Sequence, residues 1–217
     1  MADSGYDQIR TALLASYGDR GARRRESLGK ADWKLAERAA FLRRLQDAGC
    51  RTLLEIGAGT GQDSQFFADH GIGVLATDLS PAMVARCREK GLAARVLDFS
   101  RPDLEPESFD AVHAMNCLLH VPNADLPAVL AAIARLLRPG GLFFLGVYGG
   151  DGTEGVYEAD DYVPPRFFSR RTDEQIRDYA RQQFEILDFH VVAREDAFRF
   201  QSLTLRRPAM SSARASL

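Results

Sequence analysis

The feature that most restricts this chain is an apolar run that breaks into closely spaced glycines. Thr52-Leu53-Leu54-Glu55-Ile56 reads as a buried strand, Gly57-Ala58-Gly59-Thr60-Gly61 as a tight turn, and Gln62 to His70 as a helix. Such a strand–turn–helix unit brings backbone amides close to a nucleotide-like ligand, because glycine permits the tight turn. The spacing is GxGxG. A dinucleotide fold uses GxGxxG to cradle a pyrophosphate, and a phosphate loop needs GxxxxGK[ST]; neither occurs here. Glu55 would repel a pyrophosphate and attract the cationic amino group of an amino-acid moiety, directly or through water.

The elements that follow alternate. Gly73 to Thr77 is expected as a strand, and Asp78-Leu79-Ser80-Pro81 opens a helix with Ser80 as N-cap and Pro81 in its first turn. Ala94 to Leu97 and Phe109 to Ala114 read as further strands. Leu126 to Leu137 reads as a helix closed by Arg138-Pro139-Gly140-Gly141, and Leu142 to Tyr148 as a strand apolar enough to be buried on both faces. Strands separated by helices imply right-handed crossovers and a mainly parallel sheet. The tail departs from this pattern. Phe184 to Val192 and Phe198 to Leu205 are joined by only Ala193 to Ala197, which suits a hairpin and cannot make a parallel crossover. The sheet is therefore expected to contain one antiparallel strand near its end.

Ahead of the glycine turn, Asp7 to Tyr17 and Asp32 to Ala48 are expected helices, separated by a polar, arginine-rich stretch from Asp19 to Lys30. The expected organisation is a helical lid over residues 1–50, a ligand-binding domain over 51–208 and a disordered tail over 209–217. A length of 217 residues suits one well-cored domain, and a net charge of -2 gives no broad attraction to nucleic acid or anionic lipid. No stretch approaches the roughly 20 apolar residues of a membrane span, and the start of the chain lacks the order of a secretory signal. Cys50, Cys87 and Cys117 form no CxxC pair, which suits unpaired thiols in a cytoplasmic protein and offers no metal site.

Two carboxylates after the turn extend the site. Asp78, at the end of the second strand, is placed to accept hydrogen bonds from both hydroxyls of a ribose. Asp98, after the third strand, is placed to accept from an adenine amino group, with Leu79, Met83 and Phe99 supplying apolar contacts. All lie at the carboxyl edge of the sheet, where open α/β folds bind ligands.

The constellation resembles the class I methyltransferases that use S-adenosyl-L-methionine (SAM). It is carried by Leu54-Glu55-Ile56-Gly57-Ala58-Gly59-Thr60-Gly61, Thr77-Asp78-Leu79-Ser80-Pro81-Ala82-Met83, Asp98-Phe99, Ser108-Phe109-Asp110-Ala111-Val112 and Leu137-Arg138-Pro139-Gly140-Gly141. The resemblance implies a Rossmann-like three-layer α/β sandwich on a seven-stranded, mainly parallel sheet with the last strand antiparallel. It implies that Glu55, Gly57, Ala58, Gly59 and Gly61 hold the methionine end of SAM, Asp78 the ribose, and Asp98 with Phe99 the adenine. Asn116 then follows the fourth strand, where the family's chain passes the reactive sulfonium.

Methyl transfer needs an aligned nucleophile, and a protonated acceptor also needs a proton sink. His120, in Asn116-Cys117-Leu118-Leu119-His120-Val121-Pro122, is the best-placed candidate base, while His113 inside the fourth strand reads as a satisfied buried histidine. The Asn-Pro-Pro-Tyr and Asp-Pro-Pro-Tyr signatures of adenine methylation are missing, and Cys117 has no second cysteine to support covalent chemistry. Residues 151–161 carry five acids and no base; overhanging the cleft, they would favour a neutral or cationic acceptor. Tyr6, Tyr17 and Trp33 are further candidates for packing over the cleft, and Arg23 to Arg25 either contact a phosphate or the SAM carboxylate or form a solvated charge run. The expected function is transfer of a methyl group to oxygen or nitrogen of a small molecule. RNA or protein methylation, a non-catalytic SAM-binding subunit and a nicotinamide-dependent oxidoreductase are the alternatives.

Overall fold

The computed structural model describes residues 5–192 and 199–209. Three helices come first: α1 (Gly5–Ser16), α2 (Asp19–Ser27) and α3 (Asp32–Asp47). The alternating unit follows as β1 (Thr52–Ile56), α4 (Gln62–Asp69), β2 (Gly73–Asp78), α5 (Pro81–Glu89), β3 (Ala94–Val96) and β4 (Phe109–Met115). After a single 3-10 turn at Leu118–His120 come α6 (Leu126–Leu136), β5 (Leu137–Gly149), β6 (Thr153–Val156) and β7 (Phe167–Arg170). The chain closes with α7 (Asp173–Arg181), β8 (Glu185–Val192) and β9 (Arg199–Arg206).

Seven strands form one sheet in the order β3-β2-β1-β4-β5-β9-β8. The pairs from β3 through β5 are parallel, whereas β9 runs antiparallel to both β5 and β8. The expected antiparallel last strand is therefore present, inserted between two strands of the opposite direction. The link expected at Ala193 to Ala197 lies outside the described residues, as does the expected tail beyond Ala209.

Both faces of the sheet are covered, and successive side chains show how. Leu53, Ala111 and Phe144 point to one side, against Phe41, Leu42 and Leu45 of α3 and Phe67 of α4. Leu54, Val112 and Phe143 point to the other, against Leu130 and Ile133 of α6 and Ile176 of α7. Two apolar faces per strand explain why the strands read as unbroken hydrophobic runs. Within residues 1–50, α3 is thus a layer of the core, while Tyr6, Leu13 and Tyr17 of the first helical segment line a cleft at the carboxyl edge.

Three departures from the expected elements have physical causes. The arginine-rich stretch, to which the sequence assigns no separate helix, forms helix α2, anchored by the buried Gly21 and Ala22. Its charged residues hide the apolar period because so narrow a face is buried. The loop after β5 contains a second, two-stranded sheet, β6 with β7, so that Arg166-Phe167-Phe168 leads into a strand before the next helix. Finally, β5 begins at Leu137 rather than Leu142, the Pro-Gly-Gly segment being drawn into the strand beside Phe109. Among the described residues no helix is long and apolar enough to cross a membrane.

Candidate functional site

The sheet order reverses between β1 and β4, and a crevice opens there beyond the strand ends. The glycine turn forms its floor. Gly57 has φ +65°, and a Cβ on it would lie 2.3 Å from the Cβ of Cys117. Close contact between the first turn and the segment after β4 therefore requires glycine. Gly59, also left-handed at φ +57°, has nothing within 4 Å of such a Cβ and faces open space.

A cleft enclosing about 750 Å³, including its open mouth, collects most of the expected ligand contacts. Gly57, Gly59, Asp78 and Leu79 line one part of it, Met83, Asp98 and Phe99 another, and Asn116 and His120 its far end. Asp78 is fixed by two amides: Gly59 N donates to Oδ2 and Ser80 N to Oδ1, each at 2.9 Å. Burial pushes its carboxyl above the usual range, against the lowering effect of those amides. Ser80 caps α5 as expected, with Met83 N donating to its hydroxyl. Asp98 Oδ1 accepts from Ser100, and its Oδ2 lies 3.0 Å from Arg10 of α1. That ion pair ties the first helix to the Asp98 side of the cleft.

Three expected contacts lie outside the cleft wall. Glu55 is buried beneath the turn, where Ser64 donates to it and His113 Nδ1 stands 3.3 Å away. Gly61 packs under the turn, with Cys87 and Leu92 where its Cβ would be. Ala58 lines a smaller neighbouring cavity with Arg25, Lys30 and Lys34. His113 is not the satisfied histidine expected from sequence: neither ring nitrogen has a hydrogen bond, and the ring stacks on Phe144 at 4.9 Å. Glu55, Asp63 and His113 form a buried triad of metal-ligand types. Lys30 and Arg38 already meet Asp63 there, and against the opposing effect of burial they hold its carboxyl below the usual range.

Asn116 marks the end of the cleft. It is one of two non-glycine residues with positive φ, at 58°, among the described residues. Its amide donates to Gly146 O at 2.7 Å, and its buried Oδ1 has no partner. Beside it, the Cys117 thiol donates to Ile56 O, and burial pushes its pKa up, far from a reactive thiolate.

His120 has both nitrogens engaged. Nδ1 lies 2.7 Å from the Phe167 carbonyl, which can only accept, so Nδ1 carries the proton. Nε2 then accepts from the Tyr17 hydroxyl at 3.0 Å. That hydroxyl in turn accepts from Arg166 at 2.6 Å, and Arg166 grips both oxygens of Asp160. Burial lowers the His120 pKa to about 4, so the ring is neutral at ordinary pH.

A second cavity of about 690 Å³ adjoins the first and shares Tyr17, Arg25, Asn116 and His120 with it. Tyr148, Tyr162 and Phe168 contribute aromatic wall. Tyr162 and Arg166 fall in the segment that the sequence marks only as aromatic and acidic, and the short Asp160–Arg166 separation hints that the loop closes on itself. The acids of 151–161 are largely spent. Besides Asp160, Asp161 pairs with Arg24 at 2.8 Å, Glu154 accepts from Ser169, and Asp151 accepts from Thr153. The expected acidic overhang is therefore largely a set of carboxylates with bonding partners of their own. Trp33 lies behind Tyr148, packed on Phe200 at 4.5 Å.

Comparisons with known proteins agree with this geometry. Residues 53–141 match the family described as "Methyltransferase domain". A ubiquinone biosynthesis O-methyltransferase of Xanthomonas oryzae pv. oryzae is 45% identical over 109 residues, covering 47% of this chain and 44% of that protein. The chain thus spans less than half the length of the curated relatives it matches. The crystal structure of Burkholderia thailandensis 1,6-didemethyltoxoflavin-N1-methyltransferase, with 1,6-didemethyltoxoflavin and S-adenosylhomocysteine bound, aligns with TM-score 0.70 and 25% identity. It covers 96% of this chain and 91% of that one. The [4+2]-cyclase SpnF shares the fold at TM-score 0.61 and 21% identity, covering 73% and 75% of the two chains. Residues 53–141 thus match a methyltransferase-domain family, and the fold is that of the similar solved structures.

Proposed function

We propose that the protein transfers the methyl group of SAM to an oxygen or nitrogen of a small molecule. The observation that carries this reading is the pair of joined cavities. One gathers the glycine turn, Asp78 and Asp98; the other opens past Asn116 into an aromatic chamber. Features of the first cavity suit SAM. Open space lies above Gly59, and the unpartnered Oδ1 of Asn116 suits a donor or a positive charge such as the sulfonium. SAM brings its own activated methyl group and leaving group.

The chain's residues then bind and orient. Asp78 would accept from the ribose hydroxyls and Asp98 from the adenine amino group, with Leu79, Met83 and Phe99 against the ring. Gly57, Ala58, Gly59 and Gly61 shape the backbone around the methionine end, and Glu55 supports that turn from below through Ser64. His120 holds Tyr17 in place at the junction rather than taking a proton, because both its nitrogens are engaged. The helices α1 and α2 serve as the lid that excludes water from the transferring methyl. The relatives' names, one an O-methyltransferase and one an N1-methyltransferase, support a small-molecule acceptor. The three free cysteines suit a cytoplasmic setting.

Calorimetry with SAM, S-adenosylhomocysteine and NAD tests the cofactor; binding of NAD alone would overturn it. A labelled-SAM screen over phenol, amine and carboxylate acceptors tests transfer, with Asp78→Ala as the control expected to lose labelling.

A further inference from the structure

Resting on the methyltransferase reading, we infer that the acceptor is a planar, weakly acidic ring compound bound and methylated as its anion. A phenol, an enol or a ring N–H acid has the required chemistry, and the aromatic cavity beside Asn116 is its site.

Two independent features lead there. The first is charge. Arg24, Arg25, Lys34 and Arg166 line this cavity against only two carboxylates, Asp160 and Asp161. Arg166 grips both oxygens of Asp160, and Arg24 meets one oxygen of the exposed Asp161. Arg25 makes no side-chain hydrogen bond or ion pair among the described residues, although it lines both cavities. An unpaired guanidinium presents a planar fork suited to an oxyanion. Tyr17, Tyr162 and Phe168 contribute rings to the wall, with the Arg166 guanidinium packed over all three, and the cavity with its open mouth encloses about 690 Å³.

The second feature is the lack of an open base at the junction. His120 donates through Nδ1 and accepts through Nε2. Tyr17 donates to His120 and accepts from Arg166, while Asp160 is held through both oxygens. Among the described residues at the junction, an acceptor that arrives protonated meets His120, Tyr17 and Asp160 already engaged. An acceptor that is already an anion needs no group to take a proton. Its lone pair forms the new bond to the methyl carbon, the carbon–sulfur bond breaks with its electrons passing to sulfur, and the sulfonium becomes a neutral thioether. No proton moves, and the charges of anion and sulfonium cancel.

The test uses protein saturated with S-adenosylhomocysteine and 4-nitrophenol as probe, because its phenolate absorbs in the visible. The expected result is binding of the phenolate, with the dye's apparent pKa lowered in the complex. 4-Nitroanisole and 4-nitrobenzylamine, the neutral and cationic counterparts, should bind at least about tenfold more weakly. Arg25→Ala should weaken phenolate binding by about tenfold and Arg25→Lys should restore most of it. Equal or tighter binding of the neutral or cationic compound overturns the inference. So does failure of the phenolate to bind protein that holds S-adenosylhomocysteine. Failure to bind S-adenosylhomocysteine at all is a different outcome, seen before any dye is added, and it overturns the methyltransferase reading itself.

Discussion

The cleft above Gly57 and the aromatic cavity beside Tyr162 share four residues, yet the chain assembles them in different ways. The cleft is made where strands end: Gly57 follows β1, Asp78 closes β2 and Asn116 follows β4. Its polar groups are fixed by backbone amides, as in the bonds from Gly59 and Ser80 to Asp78. The aromatic cavity is made by side chains from α2 and from the loop beyond β6, held by bonds such as Arg24–Asp161 that join residues far apart in sequence. A ligand common to many proteins is met by backbone geometry that the fold repeats. A ligand particular to one protein is met by side chains that can change without disturbing the sheet.

The largest expected effect lies on the backbone side. Gly57→Ala forces a Cβ against Cys117 and an alanine into φ +65°, which should cost about 4 kcal/mol by urea unfolding. A loss under about 1 kcal/mol would mean that the turn adapts as the loops do. His120 comes next. Burial lowers its pKa from the ordinary imidazole value of about 6.5 to about 4 on folding, so its contribution is fully present above pH 6.5 and is lost as pH drops toward 4. The total is about 3 kcal/mol, and His120→Gln should remove that part of the acid sensitivity in unfolding curves taken across the window. Asp78→Ala should weaken S-adenosylhomocysteine by roughly 10- to 100-fold in calorimetry, equivalent to about 1.4–2.7 kcal/mol. Smallest is Asp161→Ala. The pair it breaks is well exposed, so thermal unfolding should report less than about 0.5 kcal/mol.

Legibility in the sequence followed the same division. The bounds of β1, the cap at Ser80 and the antiparallel last strand depend on contacts within a few residues or on a short link, and all were readable. Asp78 and Asp98 reach the cleft because strand ends converge wherever a parallel sheet reverses its order. The rest was hidden for a physical reason. In α2 only Gly21 and Ala22 are buried, and neither carries enough apolar surface to show a period. In β6, Thr153-Glu154-Gly155-Val156 has no alternation, and its partner strand lies beyond a long loop. The carboxylates of 151–161 count as charge in the sequence, whereas in the fold each of Asp151, Glu154, Asp160 and Asp161 has a named partner. Composition records charges and does not record who neutralises them. His113 shows the converse: an apolar strand context suggested a satisfied ring, and the neighbours turned out to be aromatic faces.

Tyr17 belongs to the walls of both cavities, at the end of the segment that Arg10 fastens to Asp98. On the proposed function, whatever settles the Tyr17 ring from the acceptor side would also settle the roof of the cofactor side. The two ligands then divide a single ordering cost, and the second to arrive meets a helix already in place. Linkage makes the exchange reciprocal: the factor by which acceptor tightens cofactor equals the factor by which cofactor tightens acceptor. On the proposed function, one phenol ring would couple the two chambers.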